Sequence, residues 1–178
     1  VRDLSGAFHI NLIGKPLYQK RYQKTFGFYC NRATVVDKKG WFHIFADGSP
    51  IYERCYAWCG NFQENLCTVR DFDGSYFHIN TEGKALYSRT YSYAGDFHDG
   101  VAVVQHTNGL HYHIDSQGSK IHPKGFLDLD TFHKGFARAK DELGWFHIDH
   151  KGNPLYSTRY VMIEPFYNGY ARVENEEG

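Results

Sequence analysis

The chain has no excess of charge of either sign: its 178 residues hold twenty lysines and arginines against twenty aspartates and glutamates. It therefore lacks the basic footprint that a phosphate backbone or an anionic bilayer selects, so neither nucleic acid nor a membrane is expected as a partner. No apolar run approaches the roughly 20 residues that span a bilayer, and the opening "VRDLSG" has neither the basic start nor the apolar stretch of a signal peptide. Cysteine is limited to Cys30, Cys55, Cys59 and Cys67, which do not recur at a fixed interval, and "CYAWC" lacks the paired CxxC spacing of a zinc site. These read as reduced thiols of a cytoplasmic protein. There is no nucleophile elbow, no phosphate-cradling glycine loop and no metalloprotease helix. The expectation is a chain that is not an enzyme and needs no cofactor. Apolar residues at helical spacing are also missing, which points to an all-β fold.

Aliphatic residues are scarce, while Tyr and Phe number 14 each, so the core has to be built largely from rings, which strands favour. The rings are ordered. "AFHI", "WFHI", "YFHI", "HYHI" and "WFHI" place histidines at 9, 43, 78, 113 and 147, in steps of 34, 35, 35 and 34 residues. Phe28, Phe62, Phe97, Phe132 and Phe166 keep the same step, and each opens a segment of the form F-x-x-G/N-x-A/C-x-V/A. Its glycine slot holds Asn31, Asn65, Gly100, Gly135 and Gly169, the residue types that best tolerate positive φ, so a tight turn is expected there. Cys67 stands where other units carry Ala33, Ala102, Ala137 and Ala171, the position of a small buried residue.

After the F-H-I strand comes a turn at Gly14, Gly48, Gly83, Gly118 and Gly152, followed by a segment such as "PLYSTRY" that reads as a further strand and runs into an irregular stretch such as "VMIEP". The units are drawn at 7–40, 41–75, 76–110, 111–144 and 145–178, with 1–6 as an extra partial strand. One domain accounts for the length. Strands reading "WFHI" show no polar alternation, which implies that both faces are covered, as when small sheets stack face to face. Five units of about 35 residues then give a five-bladed β-propeller; a linear β-solenoid is the alternative. With no initiator Met, and boundaries falling inside the repeat, the expectation is a piece excised from a longer protein.

These units resemble the WG-repeat proteins of bacteria. In the last unit the resemblance covers Trp145, Ile148, Asp149, Gly152, Tyr160, Phe166, Gly169, Ala171 and Val173, and weaker matches extend over the whole chain. Phe146 stands in place of the name-giving glycine, as do Phe8, Phe42, Phe77 and Tyr112, and the histidine takes the family's aromatic slot, so this is a divergent branch. The resemblance implies an interaction module and supplies no catalytic residues.

Three sets of residues are candidates for function. The histidines are assigned to the scaffold: five ligands would have to approach one metal atom to about 2 Å, whereas equivalent positions on separate blades lie much farther apart. No metal site is expected. Tyr18, Tyr52, Tyr87 and Tyr156, each close in sequence to an arginine (Arg21, Arg54, Arg89, Arg159), are either repeated sugar-binding pockets or cation–π pairs of the frame. Departures from the repeat form the third set: His122 in the Tyr slot of the fourth unit, Asp128 and Asp130 in "FLDLDTF", and Trp58 in "AWCGN". The expected function is protein or peptide binding on a rigid scaffold. A lectin-like carbohydrate-binding module is the alternative, and a metal-dependent or hydrolytic enzyme the third reading.

Overall fold

The computed structural model describes residues 1–175, so residues 176–178 at the end of the fifth sequence unit lie outside the described residues. Among the described residues there is no helix and there are sixteen short strands. The chain divides into two compact units, Val1–Thr90 and Tyr91–Gly178. The first holds β1 (Arg2–Asp3), β2 (Gly6–Ala7), β3 (Lys24–Tyr29), β4 (Arg32–Asp37), β5 (Gly40–Ile44), β6 (Trp58–Cys59), β7 (Leu66–Arg70) and β8 (Tyr76–Asn80). The second holds β9 (Tyr93–Ala94), β10 (Ala102–Gln105), β11 (His111–Ile114), β12 (Asp128–Leu129), β13 (Ala137–Asp141), β14 (Gly144–Ile148), β15 (Met162–Ile163) and β16 (Val173–Glu174).

All pairings are antiparallel and local. β3-β4-β5, β6-β7-β8, β9-β10-β11 and β12-β13-β14 are three-stranded meanders, while β1-β2 and β15-β16 are two-stranded. The all-β reading and the repetition of small sheets are therefore observed directly. The sheets cut the repeat at a different phase from the units drawn on the sequence: each three-stranded sheet takes its F-H-I strand from the unit after the one that supplies its first two strands.

Each first hairpin turns on two residues of positive φ. They are Cys30 and Asn31 at 49° and 59°, Glu64 and Asn65 at 50° and 63°, Asp99 and Gly100 at 50° and 73°, Lys134 and Gly135 at 50° and 91°, and Asn168 and Gly169 at 50° and 84°. This is the primed turn whose twist matches that of the flanking strands. Positive φ was expected at the second residue alone; Cys30, Glu64, Asp99, Lys134 and Asn168 also adopt it.

The F-H-I strands are covered on both faces. Phe42 and Ile44 point into a cluster with Phe8, Tyr18, Tyr22, Ala33 and Val35. His43, on the other face, is fully buried as well. Phe146, His147 and Ile148 repeat the pattern at 2%, 1% and 0% exposure.

The segment expected as a further strand is an arch. The backbone of "PLYSTRY" pairs with the F-H-I strand only at its ends, through the bridges Ile148↔Pro154 and Trp145↔Tyr160, and the second unit pairs likewise through Ile44↔Pro50 and Trp41↔Tyr56. In the first and last arches the intervening carbonyls have a partner outside the ladder. The Arg159 guanidinium collects the carbonyls of Tyr156, Ser157 and Thr158 at 3.5, 3.0 and 3.4 Å, and Arg21 those of Tyr18, Gln19 and Lys20 at 3.2, 2.9 and 3.3 Å. Conversely, the stretch expected to be irregular supplies the short strands β6, β9, β12 and β15.

Candidate functional site

The recurrent histidine is a clamp with two partners. His147 lies with Nδ1 2.5 Å from the Tyr156 hydroxyl and Nε2 2.9 Å from the Glu164 carbonyl oxygen. His9 does the same with Tyr18 at 2.5 Å and the Phe26 carbonyl at 2.7 Å, and His43 with Tyr52 and the Gly60 carbonyl at 3.1 Å. A carbonyl can only accept, so Nε2 carries the proton and the tyrosine hydroxyl donates to Nδ1. In the fourth unit His122 replaces the tyrosine, and its Nε2 donates to His113 Nδ1 at 3.0 Å while His113 Nε2 donates to the Asp130 carbonyl at 2.8 Å. The carbonyl belongs in each case to the first strand of the next sheet or to the residue just after it, so the clamp joins neighbours. Burial pushes His43 and His113 down to about 4, and lowers His122 and His147 as well.

Tyrosine closes the same junction from its other side. Tyr18 packs over Gly48 of the next repeat and Tyr52 over Gly83: a Cβ on those glycines would lie 2.5 Å and 2.2 Å from the ring. His122 covers Gly152 in the same way, at 2.8 Å. Tyr18 is 7% exposed, and Tyr52, Tyr87 and Tyr156 are half-buried with their hydroxyls engaged by His43, His78 and His147. The arginines anticipated as their cation–π partners stack elsewhere: Arg21 lies 3.7 Å from the Phe8 ring centre and Arg159 3.6 Å from that of Phe146. Each also bonds a carboxylate on the turn before its F-H-I strand, Arg21 to Asp3 at 3.1 Å and Arg159 to Asp141 at 2.8 Å. Trp58 is half-buried on β6, opposite Arg70.

Two residues singled out by their departure from the repeat do come together with others. In the Tyr91–Gly178 unit a groove of about 610 Å³ runs between β9 and β12, lined among others by Tyr93, Asp96, His98, His111, Asp128 and Asp130. Asp128 and Asp130 flank Leu129, which points inward at 5% exposure, so both carboxylates face outward. Asp130 is paired with Arg138, whose guanidinium also donates to the Ile163 carbonyl at 2.8 Å. Asp128 is exposed, with one oxygen accepting from the Leu129 amide at 2.9 Å. His111 donates from Nδ1 to the Leu127 carbonyl at 3.0 Å, and Tyr93 stands 47% exposed on β9. No lysine or arginine lines the groove. Tyr93, Asp96, His98 and His111 were not singled out in the sequence, because the groove takes them from two repeats; only the alignment of successive short strands brings them together.

Among the described residues no group of three or more histidines, cysteines or carboxylates is arranged to hold a metal ion. Cys59 and Cys67 are buried thiols in the core beside Tyr56, Phe62 and Val69, and burial raises Cys59 above its ordinary value.

The family model described as "WG containing repeat" matches residues 78–110 and 145–177. No protein of curated function matches the chain in sequence. Among solved structures the chain resembles the computationally designed Ika8 protein, with a TM-score of 0.51 and 15% identity over 94% of this chain and 61% of that one. It also resembles BamB from Moraxella catarrhalis, with a TM-score of 0.51 and 12% identity over 80% of this chain and 52% of that one. The chain thus spans about half to three fifths of these structures. Such identities speak to fold alone: repeated small sheets with propeller-like neighbours.

Proposed function

We propose that this array, two of whose units are WG-containing repeats, is a non-catalytic interaction module of five propeller blades. It docks a protein or peptide segment in the groove between β9 and β12. The observation that carries the reading is the division of labour among side chains. The histidines and the arch tyrosines are engaged in joining repeats, and Arg21 and Arg159 in holding an arch to its own strand and to the turn before it. Asp128 and Tyr93, by contrast, stand exposed along an open groove on that frame. A frame ordered before binding leaves little entropy to be lost on docking. With the Asp128 carboxylate exposed on its wall and no lysine or arginine in its lining, the groove complements a basic segment.

Fluorescence anisotropy of the purified chain against labelled basic, neutral and acidic peptides tests this reading. A basic peptide is expected to bind, and Asp128→Asn or Tyr93→Ala to weaken it by about fivefold or more while the melting temperature stays within a few degrees. Binding that ignores both substitutions, or that prefers the acidic peptides, would count against the groove. The carbohydrate alternative finds no comparable support, since the rings of Tyr18 and Tyr52 lie against glycines of the next repeat and their hydroxyls are bound to histidine.

A further inference from the structure

A second cavity in the Tyr91–Gly178 unit differs from the acidic groove in its chemistry. It holds about 390 Å³ and is lined by Lys134, Phe136, Leu155, Phe166, Asn168 and Gly169. Its walls are apolar. Phe136 and Phe166 meet edge to face with ring centres 5.4 Å apart, and Leu155 on the arch borders the same space. Phe136 and Leu155 nevertheless keep 36% and 40% of their surface exposed. Lys134 is the one charged side chain of the lining. It occupies the first position of a primed turn at φ 50°, and its ammonium lies 5.1 Å from the Tyr167 ring centre. Among the described residues it has no carboxylate partner within ion-pair distance.

The basic tip does not belong to the common frame. The turn position of Lys134 is held elsewhere by Cys30, Glu64, Asp99 and Asn168, and the position of Phe136 by Arg32, Leu66, Val101 and Tyr170. A basic tip beside an apolar pit therefore occurs in one repeat alone. The volume lies in the range of about 300–1,000 Å³ typical of small-molecule sites, enough for a single ring and its tail.

We propose that this cavity binds a carboxylate carried on an aromatic body. The ring packs against the exposed faces of Phe136, Phe166 and Leu155, and the Lys134 ammonium meets the carboxylate at the rim beside the Asn168 amide. A carboxylate brought against apolar walls loses hydration, and a charge-assisted hydrogen bond to lysine offsets that loss. An amine of the same shape would instead meet the cation. Two sources offer this chemistry: a free arylalkanoate, and the C-terminal phenylalanine of a polypeptide.

An amide-resolved NMR titration of the whole chain distinguishes them. The probes are phenylpropionate, phenylpropylamine, an acetylated Gly-Gly-Phe peptide with a free C-terminus, and the same peptide amidated. Saturable shifts are expected for the two acids at the amides of residues 134–136 and 166–169, with dissociation constants at least about fivefold lower than for the amine and the amidated peptide. Tighter binding of phenylpropionate than of the peptide acid identifies a free acid as the source, and the reverse order a chain terminus. Lys134→Gln should erase the preference for acids, and Phe136→Ala should abolish binding. If Phe136→Ala does not fold, Lys134→Gln decides alone, since an exposed turn side chain carries little of the stability. Absence of saturable shifts with both acids, shifts elsewhere on the chain, or equal binding of acid and amine would overturn the proposal.

Discussion

His43 and His113 are buried bases whose free lone pair, on Nδ1, already receives a hydrogen bond, from Tyr52 in one case and His122 in the other. A proton added there would face another donor, and burial pushes both groups down to about 4, with the Gly60 and Asp130 carbonyls opposing only in part. In the unfolded chain they titrate near the ordinary value of about 6.5. Between these values the unfolded state binds more protons than the folded one. Their contribution is therefore complete above about pH 6.5 and is lost as the pH falls toward about 4, by up to ~1.4 kcal/mol per pH unit for each histidine. Urea midpoints measured from pH 7 to pH 4.5 should fall steadily, and a flat profile between pH 6.5 and 5 would contradict the clamp. The histidine spacing was plain in the sequence. Its acceptor was not, because a backbone carbonyl has no letter. Asp128 was legible as a departure from the repeat, whereas Asp96, His98 and His111 are ordinary within their own repeats and acquire meaning only when β9 and β12 lie side by side.

The arch and the turns that flank it explain which elements could be read in advance. Hairpin positions were legible because positive φ selects asparagine and glycine, and the five copies agree. The arch was misread as a strand because Tyr, Arg and Tyr in close succession look like a half-buried strand. In the first and last arches three carbonyls converge on one guanidinium, a convergence that no periodicity records. The phase of the sheets was equally hidden, since a periodic sequence does not mark where one repeat stops. The turn glycines supply a paired test. Gly14 and Gly83 share a φ of 79°, yet a Cβ on Gly14 meets nothing within 4 Å while one on Gly83 meets Tyr52 at 2.2 Å. Gly14→Ala is expected to cost about 1 kcal/mol from the backbone alone, and Gly83→Ala more than ~2 kcal/mol, because the ring has to move as well. Equal losses in chemical denaturation would remove the tyrosine–glycine packing from the account.

Each of the two units is stabilised by contacts between consecutive sheets, so its stability is close to a sum over neighbours, as in other repeat proteins. The three-stranded sheets hold Val35, Val69, Val104 and Ala139 at 0% exposure on their middle strands, while β1 and β16 of the two-stranded sheets are exposed at both residues. Amide hydrogen exchange should therefore be slowest at those four residues and fastest at Arg2, Asp3, Val173 and Glu174, with a spread of several kcal/mol in opening free energy. Uniform protection across all six sheets would argue against additive stability. The clamp also bears on how such a chain changes over generations. Its acceptor is a main-chain oxygen that Phe26, Gly60, Asp130 and Glu164 provide equally well. A duplicated repeat thus meets a compatible neighbour wherever it is inserted, and the side chain at the joint stays open to mutation. Adhesion between repeats and the identity of their outer surface are inherited separately, which lets one frame diversify its partners without relearning how to fold.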